Sequence, residues 1–207
     1  MKVKALIFDC DGTLADSMQI HFLSWRRALL SRGIDLQSED FYSQSGTPSS
    51  RVIPEIARRS GVKIDFQAAL HDKERFFLEE LPRLNSIPCV VKIAEKYRGV
   101  LPMAIASGGT RRLVEQQLMQ IGILDWFDTI VTCEDTVKHK PDPDVFLEAA
   151  TRLGVSSEYC CVFEDGEPGI LAAERASMLC IDVRPHREKV DVGDAVLEML
   201  SQFESVN

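Results

Sequence analysis

Ala5-Leu6-Ile7-Phe8 is an unbroken apolar run that stops at Asp9. Such runs mark strands of a sheet covered on both faces, so a strand is expected over Val3 to Phe8. Beyond it the period changes. Met18, Phe22, Trp25 and Leu29 recur at helical spacing, which predicts a helix from Asp16 to Arg32, capped by Asp16 or Ser17 and stopped by Gly33. Helical patterns continue over Ser38 to Gln44, Ser49 to Ser60 and Asp65 to Leu81, with Pro54 inside the middle one. The segment from Pro82 to Pro88 carries two prolines, breaks the periodicity and reads as a linker.

From Pro88 onward helices and apolar strands alternate. A helix to Arg98 leads to a strand over Val100 to Ala106, then a helix over Thr110 to Ile121 and a strand over Thr129 to Cys133. A helix over Pro143 to Leu153 and strands over Tyr159 to Phe163 and Met178 to Val183 follow, with Gly166 at the N-cap of a further helix. This alternation predicts an α/β fold, a doubly wound, mostly parallel, Rossmann-like sheet with helices on both faces. The all-helical stretch then becomes an insert after the first strand, with residues 1–15 and 86–207 as the core and 16–85 as a helical cap.

Composition narrows the partners. The 207 residues are 45% hydrophobic and 27% charged, ordinary for a globular chain, and the net charge of −8 argues against nucleic acid or an anionic membrane. The apolar run after Lys4 is too short for a signal peptide and no later run could span a bilayer, so the cytoplasm is the expected location. Cys10, Cys89, Cys133, Cys160, Cys161 and Cys180 form no CxxC pair and lie mostly in apolar runs, as buried free thiols do. Cys10 stands between two aspartates, but strand alternation turns it away from them, toward packing.

Four polar clusters each follow an expected strand: Asp9 with Asp11, Ser107, Lys140-Pro141, and Glu164-Asp165. In an open parallel sheet, ligands gather outside the carboxyl ends of the strands. Asp9-Cys10-Asp11-Gly12-Thr13-Leu14, Ser107-Gly108-Gly109, Lys140-Pro141-Asp142-Pro143 and Phe163-Glu164-Asp165, in this order, resemble the motif set of haloacid dehalogenase-like phosphotransferases. The resemblance implies that Asp9 is the nucleophile that takes up a phosphoryl group and Asp11 the general acid and base. It assigns Ser107, the Gly108 backbone N–H and Lys140 to the phosphoryl oxygens, with Lys138 a solvated lysine. It also implies Mg²⁺ held by Asp9, the backbone carbonyl of Asp11 and Asp165, with Glu164 bound directly or through water. An aspartate at position 11 argues against the carbon–halogen branch, which lacks this acid. Gly166 stands where serine is common in the closest relatives.

The helical insert resembles the cap of the β-phosphoglucomutase and sugar-phosphatase branch, which closes over the site. That likeness implies substrate contacts from His21, from Arg51 in Gly46-Thr47-Pro48-Ser49-Ser50-Arg51, and from Lys73; His139, beside Lys140, stays undecided. The nearest resemblance is to bacterial fructose-1-phosphate and 6-phosphogluconate phosphatases, which share Gly-x-Pro-x-x-Arg. The expected activity is thus Mg²⁺-dependent hydrolysis of a small sugar or polyol phosphate, with no obligate protein partner evident. The alternatives are a phosphosugar mutase using the same residues and a noncatalytic phosphosugar-binding protein, the latter disfavoured by the intact Asp9, Asp11, Lys140 and Asp165.

Overall fold

The computed structural model describes residues 3–43, 49–187 and 191–204. Five parallel strands, β1 (Ala5–Phe8), β2 (Met103–Ala106), β3 (Thr129–Val131), β4 (Cys160–Glu164) and β5 (Leu179–Asp182), form one sheet in the order β3-β2-β1-β4-β5. The chain steps outward from β1 to β2 and β3, then returns to lay β4 on the other side of β1. The strand order therefore reverses between β1 and β4, which opens a crevice at their carboxyl ends.

Alternate residues of each strand feed two separate cores. Leu6, Phe8, Met103, Ile105, Cys161 and Phe163 pack beneath α5 (Pro88–Tyr97), α6 (Arg111–Gln120) and α10 (Val192–Glu204). Ala5, Ile7, Ala104, Ala106, Cys160 and Val162 face α7 (Asp144–Leu153) and α8 (Glu167–Arg175) on the other side. Both faces being covered explains why the strands read as solid apolar runs. Phe8 stacks on Phe163 at 4.8 Å between ring centroids, joining the two strands that flank the crevice.

Between β1 and β2 the chain forms α1 (Met18–Leu30), α2 (Ser38–Tyr42), α3 (Ser49–Arg59) and α4 (Phe66–Glu80). These have a core of their own, in which Trp25, Leu29, Ile34, Leu36, Ile53, Ile56, Ala57 and Ala69 are buried together. Asp65 caps α4, its Oδ1 accepting the Ala68 N–H at 3.1 Å. Pro54 is accommodated inside α3. Ala15, which is bridged to Ser86, and Ile87, whose N–H donates to the Leu14 carbonyl at 2.8 Å, tie the two ends of the helical segment together beneath it.

Several boundaries differ from the sequence expectation. The second strand begins at Met103, because Val100 is 69% exposed on the turn that precedes it. The third ends at Val131, where the chain turns and the Cys133 N–H donates to the Gly109 carbonyl. The helix expected to Gln44 is described to Tyr42; Gln44, Gly46, Thr47 and Pro48 lie outside the described residues. A short α9 (Arg184–Arg187) and α10 close the chain after β5, neither of which the hydrophobic pattern signalled. The six cysteines are free. Cys10 is fully buried among Leu6, Phe8 and Leu14, and burial pushes its thiol pKa well up, as packing requires. No helix among the described residues is long and apolar enough to cross a membrane.

Candidate active site

The crevice continues into a cavity of about 270 Å³ whose walls come from both parts of the molecule. Asp9, Asp11, Ser107, Gly108, Lys140, Glu164 and Asp165 form its floor, while Trp25, Phe66 and Lys73 stand over them. Asp9 and Ser107 directly follow β1 and β2, and Glu164 ends β4 with Asp165 next to it, so the sheet register that packs the cores also sets their spacing, while Asp11 and Lys140 reach the floor from the loops after β1 and β3.

Asp9 follows β1, with its N–H donating to the Phe163 carbonyl at 3.0 Å. Its Oδ1 accepts from Lys140 Nζ at 2.7 Å; the same ammonium donates to Glu164 Oε1 at 2.8 Å and to the Ala106 carbonyl at 3.1 Å. Lys140, Asp9 and Glu164 are all buried. Burial opposes charge on Lys140, yet Asp9 and Glu164 outweigh it and hold the ammonium above the ordinary lysine range. Asp9 is pushed well above the carboxylate range, first by burial and then by Glu164, Asp165 and Asp11, with Lys140 pulling the other way.

Asp11 lies past the strand in a tight turn. Gly12 supplies φ +82° there, and a Cβ at that position would fall 2.1 Å from Asp165 Oδ2. The Asp11 Oδ1 accepts from Ser17 Oγ at 2.6 Å and lies 2.6 Å from His21 Nε2, so an ionised Asp11 requires the imidazole proton on that nitrogen. His21 is stacked on Phe77 at 4.3 Å, which fixes its ring. Although burial raises the Asp11 pKa, His21 and Ser17 bring it well below the usual carboxylate range. Burial, with the charge of Lys73, lowers the pKa of His21. Ser17 does occupy the N-cap position of α1, but its hydroxyl makes no capping bond and turns to Asp11 instead.

Ser107 is buried at the end of β2, and its Oγ accepts the Gly109 N–H at 3.0 Å, which leaves the hydroxyl proton free to donate into the cavity. Glu164 accepts the Gly166 N–H as well as Lys140, at the N-cap of α8. That helix approaches so closely that a Cβ on Gly169 would lie 1.7 Å from Glu164 Oε1. Asp165 accepts from Thr13 Oγ1 at 3.2 Å and from Arg187 Nη1 at 3.4 Å; Arg187 also donates to the Gly12 carbonyl at 2.9 Å.

Asp9, Glu164 and Asp165 each offer an oxygen within 4.8 Å of the others. Asp165 is raised to about 7, by burial first and Glu164 second, against the pull of Arg187 and Lys140. Asp9 and Asp165, whose pKa values burial raises, converge with Glu164 on one point, and such a carboxylate cluster is the donor set a hard divalent cation satisfies. The residues therefore fit such an ion. Ser17 and His21 both engage Oδ1 of the Asp11 carboxylate.

Of the cap residues expected to meet substrate, His21 and Lys73 line the cavity, and Arg51 does not: it is exposed, and Ser49 and Ser50 line the wall in its place. His139 lines the cavity, whereas Lys138 is exposed. Lys73 is 5% exposed, with its ammonium 5.1 Å from the Phe77 ring and 6.0 Å from that of Trp25. Burial lowers its pKa to about 8 against the charges of Asp11 and Glu74. Sequence reasoning missed Ser17, Thr13, Gly169, Arg187 and Glu74; of these only Thr13 stood inside a motif.

A family model described as haloacid dehalogenase-like hydrolase matches residues 3–177. The chain belongs to the haloacid dehalogenase-like hydrolases. This hydrolase is 33% identical over 180 residues to the fructose-1-phosphate phosphatase YqaB of Escherichia coli, covering 86% of this chain and 95% of that protein. It is 28% identical over 195 residues to a β-phosphoglucomutase of Bacillus subtilis, covering 87% and 83%. Its fold matches the crystal structure of a hydrolase from Pseudomonas syringae with a TM-score of 0.78 and 25% identity, over 95% of this chain and 90% of that one.

Proposed function

We propose that this hydrolase is a Mg²⁺-dependent phosphatase of small phosphorylated sugars or polyols, with Asp9 as nucleophile and residues 16–85 as a cap over the core. The observation that carries this reading is the opposition, across one cavity, of a buried Asp9 held by Lys140 and an Asp11 held by His21 and Ser17. Two carboxylates in such different environments divide into nucleophile and acid–base.

Lys140 engages one Asp9 oxygen, which leaves Oδ2 to attack phosphorus. The bond from phosphorus to the ester oxygen breaks, and Asp11 delivers a proton to that oxygen as it leaves. A dianionic phosphate beside Asp11 raises its pKa and favours the protonated form this step needs. Water then attacks the phosphoryl group on Asp9 while Asp11, now ionised, takes its proton, and inorganic phosphate and free Asp9 result. Ser107, the Gly108 N–H and Lys140 bind the phosphoryl oxygens throughout. Held by Asp9, Asp165, the Asp11 carbonyl and Glu164, directly or through water, Mg²⁺ would neutralise the phosphate and draw charge from its oxygens. The cap excludes water from the first step.

The mutase reading is favoured by the β-phosphoglucomutase relative. Against it, a sugar bisphosphate intermediate needs a second anion site. Arg51 is outside the cavity, and Arg111 is committed to Asp135 at 2.7 Å and to the Ile130 carbonyl at 3.1 Å. A panel of sugar phosphates with Mg²⁺ tests both readings. Phosphate release abolished by Asp9→Asn and by EDTA supports hydrolysis. Conversion of glucose 1-phosphate to glucose 6-phosphate without release supports the mutase, and tight binding with no turnover would sink both.

A further inference from the structure

Glu74 precedes no strand and belongs to no motif, yet its carboxylate lines the cavity next to Lys73. Its Oε1 accepts from Thr110 Oγ1 at 3.1 Å, a bond between α4 and the start of α6 that joins the helical segment to the core. The same charge is felt by the Cys133 thiol on the core side of the cavity and by the Lys73 ammonium on the other. Glu74 thus stands at the seam with one oxygen committed and the other unassigned.

Besides His21, the hydroxyls of Ser49 and Ser50, and His139, the walls above the floor are mainly apolar, from Trp25, Phe41, Val52, Ile53, Phe66 and Leu70. In such a pocket a few polar groups decide which ligand is accepted. Lys73 donates and Glu74 accepts, a pair that matches a hydroxyl, or two neighbouring hydroxyls, on an uncharged leaving group. A carboxylate in the same place would gain Lys73 but confront Glu74 across a medium of low dielectric, and like charges so placed are strongly disfavoured. Arg51, exposed and outside the cavity, offers no compensating charge.

We propose, resting on the phosphatase reading above, that Glu74 is a specificity-determining residue that selects phosphate esters of neutral polyols and rejects esters whose leaving group carries a carboxylate. The preferred substrates are then polyol and ketose monophosphates, and phosphorylated sugar acids are excluded.

The test compares sorbitol 6-phosphate and fructose 1-phosphate with 6-phosphogluconate and phosphoglycolate, by kcat/KM on the active chain and by calorimetric binding to its Asp9→Asn form. Glu74→Gln keeps an acceptor for Thr110 and removes the charge; Thr110→Val removes the bond and keeps the charge. The neutral esters are expected to lead by about tenfold or more, with Glu74→Gln erasing most of that lead and Thr110→Val preserving it. A lead unchanged by Glu74→Gln, lost equally in Thr110→Val, or reversed in the unsubstituted chain overturns the proposal. No turnover of any ester would refute the phosphatase reading, while binding to the Asp9→Asn form would still decide the role of Glu74.

Discussion

Glycine in a helix ordinarily costs about 1 kcal/mol relative to alanine, so Gly169→Ala in α8 should stabilise a chain with room for the methyl group. Here the added Cβ would lie 1.7 Å from Glu164 Oε1, 2.1 Å from Cδ and 2.8 Å from Cγ. Contacts that short cannot exist, and Glu164 has little freedom: it is buried and held by Lys140 and by the Gly166 N–H. Either α8 moves off the sheet, an overpacking cost of about 1–3 kcal/mol, or Glu164 leaves Lys140, and breaking a buried pair costs about 3–5 kcal/mol. With the gain of about 1 kcal/mol in helix propensity subtracted, the first route leaves a net destabilisation of about 0–2 kcal/mol and the second about 2–4 kcal/mol. A chain of this length loses roughly 2–4 °C of Tm per kcal/mol, so thermal unfolding should shift down by up to about 16 °C. Phosphatase activity should fall with it, because Lys140 and the metal cluster share Glu164. In a double-mutant cycle with Glu164→Ala the penalty should largely vanish, since the clashing atoms are gone. A Tm above that of the unsubstituted chain would refute the reasoning, as would a full penalty in the Glu164→Ala background.

Other consequences are as direct. Asp165, raised to about 7 from an unfolded value near 3.8, favours its proton in the folded, metal-free chain. That stability is present below about pH 4 and lost as pH rises through 7, so the Tm gained on adding Mg²⁺ should grow from pH 5 to pH 8 by differential scanning calorimetry. Lys73→Met should raise Tm at pH 7 while raising KM, because burying the ammonium, with its pKa lowered to about 8, costs stability that returns only above that pH. Ser17→Ala removes a donor to ionised Asp11, a bond worth about 1.5–3 kcal/mol, so the Asp11 pKa should rise and the alkaline limb of the kcat/KM profile, where Asp11 loses the proton the first step needs, should move to higher pH with α1 intact by circular dichroism.

The strands were legible because each is buried on both faces: Ala5 to Phe8 and Cys160 to Phe163 face different cores at alternate positions, so no polar residue interrupts them. Asp9, Ser107 and the Glu164-Asp165 pair were legible for the same reason, since a polar residue directly at the end of such a run falls at the carboxyl edge of the sheet, whereas Asp11 and Lys140 lie farther along their loops and were legible only as parts of motifs. Val100 misled because an apolar residue on an exposed turn is indistinguishable from the start of a strand. Ser17 misled because a serine before a helix reads as a cap, whereas its hydroxyl has a better acceptor in an ionised carboxylate six residues earlier. Glu74 with Thr110, and Arg187 with Gly12 and Asp165, join residues 36, 175 and 22 apart through the docking of one unit on another, and no period in the sequence encodes docking. Gly169 left no signal because the contact that requires it lies between a helix and the side chain that ends a neighbouring strand. Arg51 carried the right charge in a motif, but α3 turns it outward.

The central claim is that Asp9 takes up the phosphoryl group. Mixing the active chain with a phosphorylated polyol and Mg²⁺, quenching in acid within one turnover, and reducing the acyl phosphate with borohydride tests this directly, because reduction converts the modified aspartate to homoserine. Peptide mass spectrometry should find homoserine at position 9 only. The same product at Asp11 or Asp165, a phosphoryl group on Ser107 or His21, or steady phosphate release with no modified residue would contradict it.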